Sequence, residues 1–159
     1  MEVLQNLDSF DTIIVPVGEG GLIVGIAVAA KSLKQDCEVI GVQTKASSKM
    51  YESWKKGSFV HVEETDTLAE AFLGGVEDGS VTLDLTLKYV DKMLLVMENT
   101  LRDAIRILWT EEKQVVEGAG ATSIGPLLEN PEYFKGKAIV SIVSSGNIEK
   151  TLFENITKQ

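Results

Sequence analysis

Runs of apolar residues alternate along the chain with stretches of helical period, and this alternation predicts its elements. Residues 12–17 (TIIVPV) are almost wholly apolar, the pattern of a strand covered on both faces, with Pro16 tolerable near its end. Residues 21–33 (GLIVGIAVAAKSL) predict a helix rich in Ala and Gly that can lie close against a sheet. A second strand is expected at 38–43 (EVIGVQ), then a short helix over 48–56 that stops at Gly57. Residues 59–62 read as a short strand, and 65–87 as helical pieces broken by Gly74-Gly75 and Asp78-Gly79. Residues 92–96 form a third strand. The clearest helix spans 99–114, where Leu101, Ala104, Ile105, Leu108 and Trp109 recur at i, i+3, i+4, i+7 and i+8 with charges opposite. A small-residue helix follows within 117–128, then a fourth strand at 137–143 (KAIVSIV) and a last helix over 148–157.

Buried strands separated by helices imply an α/β fold with a mostly parallel sheet flanked by helices. In such sheets ligands sit at the carboxyl ends of strands. The glycine-rich turn Gly18-Glu19-Gly20-Gly21 and the turn Ser144-Ser145-Gly146-Asn147 both follow strands, so they can line one crevice. A glycine turn at a helix N-terminus aims unpaired backbone N–H groups and the positive end of the helix dipole at one point, which suits a phosphate. The pattern differs from the P-loop, because no Lys-Ser/Thr pair follows Gly21. It differs from the dinucleotide fingerprint too, because Ile23 stands at the third glycine. A tight turn without a ligand is the plain alternative. Ser144 likewise ends an apolar strand and can face a crevice, or the segment can be an ordinary serine turn, with Ser145 or Asn147 capping the last helix. Glu117 has the plain reading of a solvated charge at a helix start.

Composition narrows the function classes. A chain of 159 residues is enough for one domain with a sizeable core. Its net charge of −9 argues against nucleic acid as a partner, so any attraction for an anion must be local. No apolar stretch approaches a membrane span, and residues 1–11 lack the basic and apolar regions of a signal peptide. The lone Cys37 excludes an internal disulfide and, with one histidine, leaves no zinc cluster; it is expected as a small core residue of a cytoplasmic protein.

The segments VPVGEGGLIVGIA, VIGVQ, TLAEAFLGGVEDGSVT, VVEGAGA and IVSSGN, in this order, resemble the fold-type II pyridoxal-phosphate enzymes. They are most similar to the threonine and serine dehydratase branch, over residues 2–147. The resemblance implies the large-domain fold of tryptophan-synthase-β-like enzymes and pyridoxal 5'-phosphate as cofactor. It implies that the backbone amides of Gly18, Glu19, Gly20, Gly21 and Leu22 bind the cofactor phosphate. Ser144, with Gly146 and Asn147, matches the S-x-G-N motif whose serine hydroxyl meets the pyridine nitrogen, and Glu117 matches a glutamate beside the ring, with Gly118 in place of proline. A hydroxyl partner makes the ring a weaker electron sink than a carboxylate would, which suits β-elimination. The implied reaction converts L-threonine to 2-oxobutanoate and ammonia.

The departures are specific. Glu19 stands in a loop that most relatives fill with glycine. The divalent-metal pattern E-x-x-x-A-x-D reads Gln43, Ser47 and Lys49, so no metal of that kind is expected. The usual A-D-G reads Ala69-Glu70-Ala71. The S-x-K-x-R-G motif that carries the Schiff-base lysine is absent. The expectation is therefore that residues 1–159 are a single domain, the C-terminal large-domain portion of a longer two-domain enzyme, inactive alone and with no catalytic residue of its own. A stand-alone, non-catalytic remnant that binds a phosphorylated ligand or a partner subunit is the alternative, as is one chain of an enzyme built from two. Homo-oligomerisation is expected, as in the relatives.

Overall fold

Strand β1 (Thr12–Pro16) is buried at every position and lies between two parallel neighbours, β2 (Glu38–Thr44) and β4 (Ile139–Ser141). With β3 (Lys92–Val96) beyond β2, the computed structural model, which describes residues 6, 7 and 9–158, has a four-stranded parallel sheet in the order β3-β2-β1-β4. Helix α1 (Gly21–Leu33) follows β1, and α2 (Lys49–Lys56) and α3 (Val81–Tyr89) follow β2. After β3 come α4 (Glu98–Glu112), the short helices α5 (Gly118–Ala121), α6 (Gly125–Glu129) and α7 (Pro131–Phe134), then β4 and α8 (Lys150–Thr157).

The two-residue period of the strands sorts their side chains onto two faces. Ile13, Val15, Val17 and Val39 pack with Ile23, Ala27, Ala30 and Met50 on the α1–α2–α3 face. Ile14, Ile40 and Val42 pack with Leu101 and Ala119 on the opposite face. The chain builds β1, β2 and β3 in one direction and then returns to place β4 on the far side of β1. Right-handed crossovers put helices of opposite progression on opposite faces. The order reverses between β1 and β4, and a crevice opens at the carboxyl ends of strands where the order reverses.

Three expectations are corrected. Residues 59–62 form no strand: they join neither edge of the sheet, and Val60 N–H bonds to Ser53 Oγ (3.0 Å), which ties the segment back to α2. The 117–128 helix breaks into α5, a 3-10 turn at Thr122–Ile124 and α6. Pro126 has no N–H to give the Thr122 carbonyl, and the Thr122 hydroxyl bonds back to the Gly118 carbonyl (2.9 Å). The fourth strand is shorter than 137–143 and half-buried throughout, because β4 is an edge strand. Cys37 is fully buried, as expected, and burial pushes its thiol up.

At the amino ends of the strands, Glu38 accepts hydrogen bonds from Tyr133 (2.5 Å) and Lys137 (3.0 Å). Burial alone would raise its carboxyl; the bonds from Tyr133 and Lys137 together outweigh it and hold the group below the ordinary carboxylate range. A carboxylate lowered on folding contributes stability above its unfolded value and loses it as pH falls through the folded one. Glu38→Gln is thus expected to cost about 1 kcal/mol at pH 7. The deficit should shrink as pH falls through the lowered carboxyl value. Urea unfolding of both proteins from neutral pH into the acid range measures it, and a deficit that does not depend on pH would contradict the assignment.

Candidate functional site

The sheet holds the chain up to Val17, whose N–H donates to the Val42 carbonyl (2.9 Å), and the Gly18-Glu19-Gly20-Gly21 turn begins immediately after. Gly20 caps α1 with φ 95°. A Cβ there would lie 2.8 Å from Met50 Cε and 3.0 Å from Thr82 Cβ, so only glycine fits both the conformation and the space. The first bond within α1 runs from Val24 N–H to the Gly20 carbonyl (3.0 Å). The amides of Gly21, Leu22 and Ile23 therefore have no acceptor within the helix. No side chain caps this end and no acidic residue lies in its first turn. The Glu19 carbonyl accepts a hydrogen bond from Thr82 Oγ1 (2.6 Å), and Ser80 Oγ, which caps α3, lies 2.8 Å from that hydroxyl.

Across the switch point, the loop after β4 is held by close packing. A Cβ on Gly120 would lie 2.3 Å from the Ser145 carbonyl oxygen, and one on Gly146 would lie 2.5 Å from that of Val115. Glu117 N–H donates to the Ser145 carbonyl (3.3 Å). Ser144 is left exposed, on a cavity of about 180 Å³ that it shares with Gly18, Glu19, Gly20, Gly21 and Leu22. Ala71, Phe72 and Ala119 form its other wall. Drug-sized ligands occupy pockets of about 300–1,000 Å³. This hollow has room for a phosphate and one face of a ring, which makes it half of such a site.

Glu117 and Asn147 line an adjoining hollow of about 120 Å³, with Ala71 as the shared wall. The structure thus brings the glycine loop to Ser144 and sets Glu117 and Asn147 one wall away, with Gly146 against Val115. Glu117 is the half-buried residue before α5 and caps it with no side-chain bond. The last helix starts later than expected, after Glu149, and no side chain caps it, so neither Ser145 nor Asn147 plays that part.

Several contributors escaped the sequence reading. Thr82 and Ser80 carried a visible signal, an S-x-T pair at a helix start, but a capping motif does not say which loop its second hydroxyl will reach. The Ala71–Phe72 wall follows a segment fixed by Glu98, which accepts from Thr67 Oγ1 (2.7 Å) and Leu68 N–H (2.8 Å).

Among the described residues no lysine lines the cavity. Lys31 is held by Asp91 (2.6 Å) and the Cys37 carbonyl, Lys34 by the Phe10 carbonyl, Lys49 by the Gly74 carbonyl and Lys137 by Glu38. The positions of the metal pattern do not suit a divalent cation. Gln43 Oε1 accepts Tyr51 N–H (2.8 Å), Ser47 Oγ donates to Glu64, and the third position carries an ammonium. Among the described residues no three His, Cys, Asp or Glu side chains converge as metal ligands, and no helix is long and apolar enough to cross a membrane.

Comparison with known proteins agrees with this geometry. A family model described as "Pyridoxal-phosphate dependent enzyme" matches residues 1–146. L-threonine ammonia-lyase of Thermotoga maritima is 38% identical over 156 residues, 98% of this chain and 38% of its own. The catabolic L-threonine dehydratase TdcB of Escherichia coli K12 is 36% identical over 159 residues, 99% of this chain and 48% of its own. The processed form of threonine deaminase isoform 2 from Solanum lycopersicum superposes with a TM-score of 0.89 at 28% identity, over 99% of this chain and 46% of that one. The chain thus spans less than half the length of the curated relatives it matches.

Proposed function

The chain belongs to the pyridoxal-phosphate-dependent enzymes, and from that premise we propose that it is the C-terminal large-domain portion of a longer threonine/serine dehydratase. One observation carries the proposal: an uncapped helix N-terminus and a free serine hydroxyl face one cavity at the switch point of a parallel sheet. The backbone amides of Gly18, Glu19, Gly20, Gly21 and Leu22 would hold the cofactor phosphate, those of Gly21 and Leu22 having no acceptor within the helix. Ser144 Oγ would meet the ring nitrogen, and Gly146 keeps its loop close to Val115. Glu117 and Asn147 bound the ring side across Ala71. Pyridoxal phosphate, when bound, supplies the electron sink that lets an amino acid lose its α-proton and β-hydroxyl. The group that takes the α-proton and the site for the substrate carboxylate would come from chain outside this match, because among the described residues no lysine lines the cavity.

L-Threonine is the proposed substrate, released as 2-oxobutanoate and ammonia, and serine is its close competitor. The names and extent of the relatives support this reading, as does a hydroxyl at the ring-nitrogen position, which favours β-elimination. The cytoplasm is the proposed location, supported by the single buried cysteine. A homo-oligomer is the proposed assembly, supported by exposed Leu22, Val28 and Leu33 along α1 and by the half-buried edge strand.

Incubation with pyridoxal phosphate, borohydride reduction and peptide mapping provide the test, with 2-oxo-acid release from threonine and serine assayed in parallel. The expected result is reversible binding, no stoichiometric adduct on any lysine and no turnover by this chain alone. Adding the separately expressed remainder of the Thermotoga maritima relative is expected to produce 2-oxobutanoate from threonine. A reduced adduct on one lysine together with turnover by this chain alone would overturn the half-site reading. Full binding with no turnover after complementation would favour a non-catalytic binding protein.

A further inference from the structure

Lys49 lies in the first turn of α2, yet it is only 9% exposed. Its ammonium donates to the Gly74 carbonyl and lies 3.9 Å from Glu64 Oε2. The same carboxylate accepts Ser47 Oγ on one oxygen (2.5 Å) and Gly74 N–H on the other (2.9 Å). Gly74 and Gly75 turn the chain here with φ 87° and 51°, and a Cβ on Gly75 would rest 3.8 Å from Lys49 Cβ. Burial opposes the charge on Glu64, and the Ser47 hydroxyl, the Gly74 amide, Lys49 and His61 together hold its carboxyl below the ordinary range. One lysine and a half-buried carboxylate thus hold a glycine turn to a helix, the ammonium on the Gly74 carbonyl and the carboxylate on the Gly74 amide.

The position of that turn gives the clamp a consequence. On its N-terminal side the chain has just formed the Ala71–Phe72 wall; a Cβ on Gly18 would lie 3.3 Å from the Ala71 carbonyl oxygen. On its C-terminal side the chain leads to Ser80 and to Thr82, whose hydroxyl holds the Glu19 carbonyl (2.6 Å). Both supports of the glycine loop therefore hang from the segment that Lys49 anchors. At the family's metal positions the amide and the hydroxyl are engaged with Tyr51 and Glu64, no carboxylate remains, and the Lys49 ammonium would repel a dication.

We propose that Lys49 is a positioning residue: its ammonium serves as a built-in cation that fixes the Gly74-Gly75 turn and thereby the anion cradle at Gly18 to Leu22, with no need of a divalent metal. The cradle's role in holding phosphate rests on the proposed function; the clamp on the turn does not.

The experiment compares wild type, Lys49→Met, Lys49→Arg and Glu64→Gln in hydrogen exchange of the amides from Gly74 to Thr82. Inorganic phosphate titrations are followed at the Gly21 and Leu22 amides by NMR, each with chelator or with added Mg²⁺ or Ca²⁺. Lys49→Met is expected to speed exchange in that segment about tenfold while α4 stays protected. It should also weaken phosphate binding several-fold, with Lys49→Arg restoring most of both. Wild type should respond to neither chelator nor cation. Unchanged exchange in Lys49→Met, or tighter phosphate binding by wild type on adding either cation, would overturn the proposal. If Lys49→Met does not fold, faster exchange in Glu64→Gln with a cation-insensitive wild type supports the clamp, and slow exchange in that variant refutes it. If wild type binds no phosphate, the proposed function fails, and the exchange data still decide the clamp.

Discussion

Gly118→Ala is expected to lower the unfolding free energy by about 3 kcal/mol, near the upper end of the range for overpacking a core. The new Cβ would lie 2.1 Å from the Leu68 carbonyl oxygen and 2.4 Å from its carbon. These are backbone atoms and cannot rotate away. Leu68 is itself held by its N–H bond to Glu98 (2.8 Å), so relief must come from separating α5 from the 67–72 segment. That segment carries the Ala71–Phe72 wall, and α5 carries Gly120, which packs on Ser145. The variant should therefore lose ligand binding along with stability. Denaturant unfolding with tryptophan fluorescence measures the first, and a loss below about 1 kcal/mol would show that the two segments can part freely. Gly25→Ala is the control, because a Cβ there meets nothing within 4 Å and the residue lies outside the cavity.

Gly20→Ala is expected to weaken phosphate or pyridoxal-phosphate binding by at least about tenfold, the equivalent of losing one hydrogen bond to a charged group. Gly20 adopts φ 95°, where alanine is strained, and its Cβ would press on Met50 and Thr82. The turn must then unwind or shift, and either movement takes the α1 amides out of convergence on one anion. Glu19→Gly should act in the opposite direction. Glu19 is exposed and lines both the cavity and a neighbouring hollow with Glu77 and Asp78, so its removal takes negative charge from the phosphate's approach. Titration of both variants against wild type separates conformation from charge. Wild-type affinity in Gly20→Ala would show that the cradle does not depend on the left-handed turn, and equal or weaker binding by Glu19→Gly would clear the carboxylate as an obstacle.

The sequence by itself determined the elements whose reasons are local. α1 has its expected bounds because a glycine turn starts it and a charged stretch ends it, and β3 has its expected bounds as an apolar run between Asp91 and the start of the next helix. The motif order was legible as well, including the departures at Glu19, Lys49 and the missing lysine motif. Each of these is a statement about residue type at a spacing. Sheet order was not legible, since a strand's own pattern does not name its neighbour. Residues 59–62 have strand-like composition yet join neither edge of the sheet, and β4 is apolar enough for a central strand yet lies at the edge. Only the tertiary structure brought Thr82 under the glycine loop, 63 positions from Glu19, and only it separated Glu117 and Asn147 from Ser144 by the Ala71 wall. The same holds for Lys49, where the sequence showed the wrong charge for a metal and the structure showed what that charge holds. Local pattern follows from the energetics of a few consecutive residues, whereas these contacts arise from packing segments far apart in the chain, and that packing is settled only when the whole sheet closes over its helices.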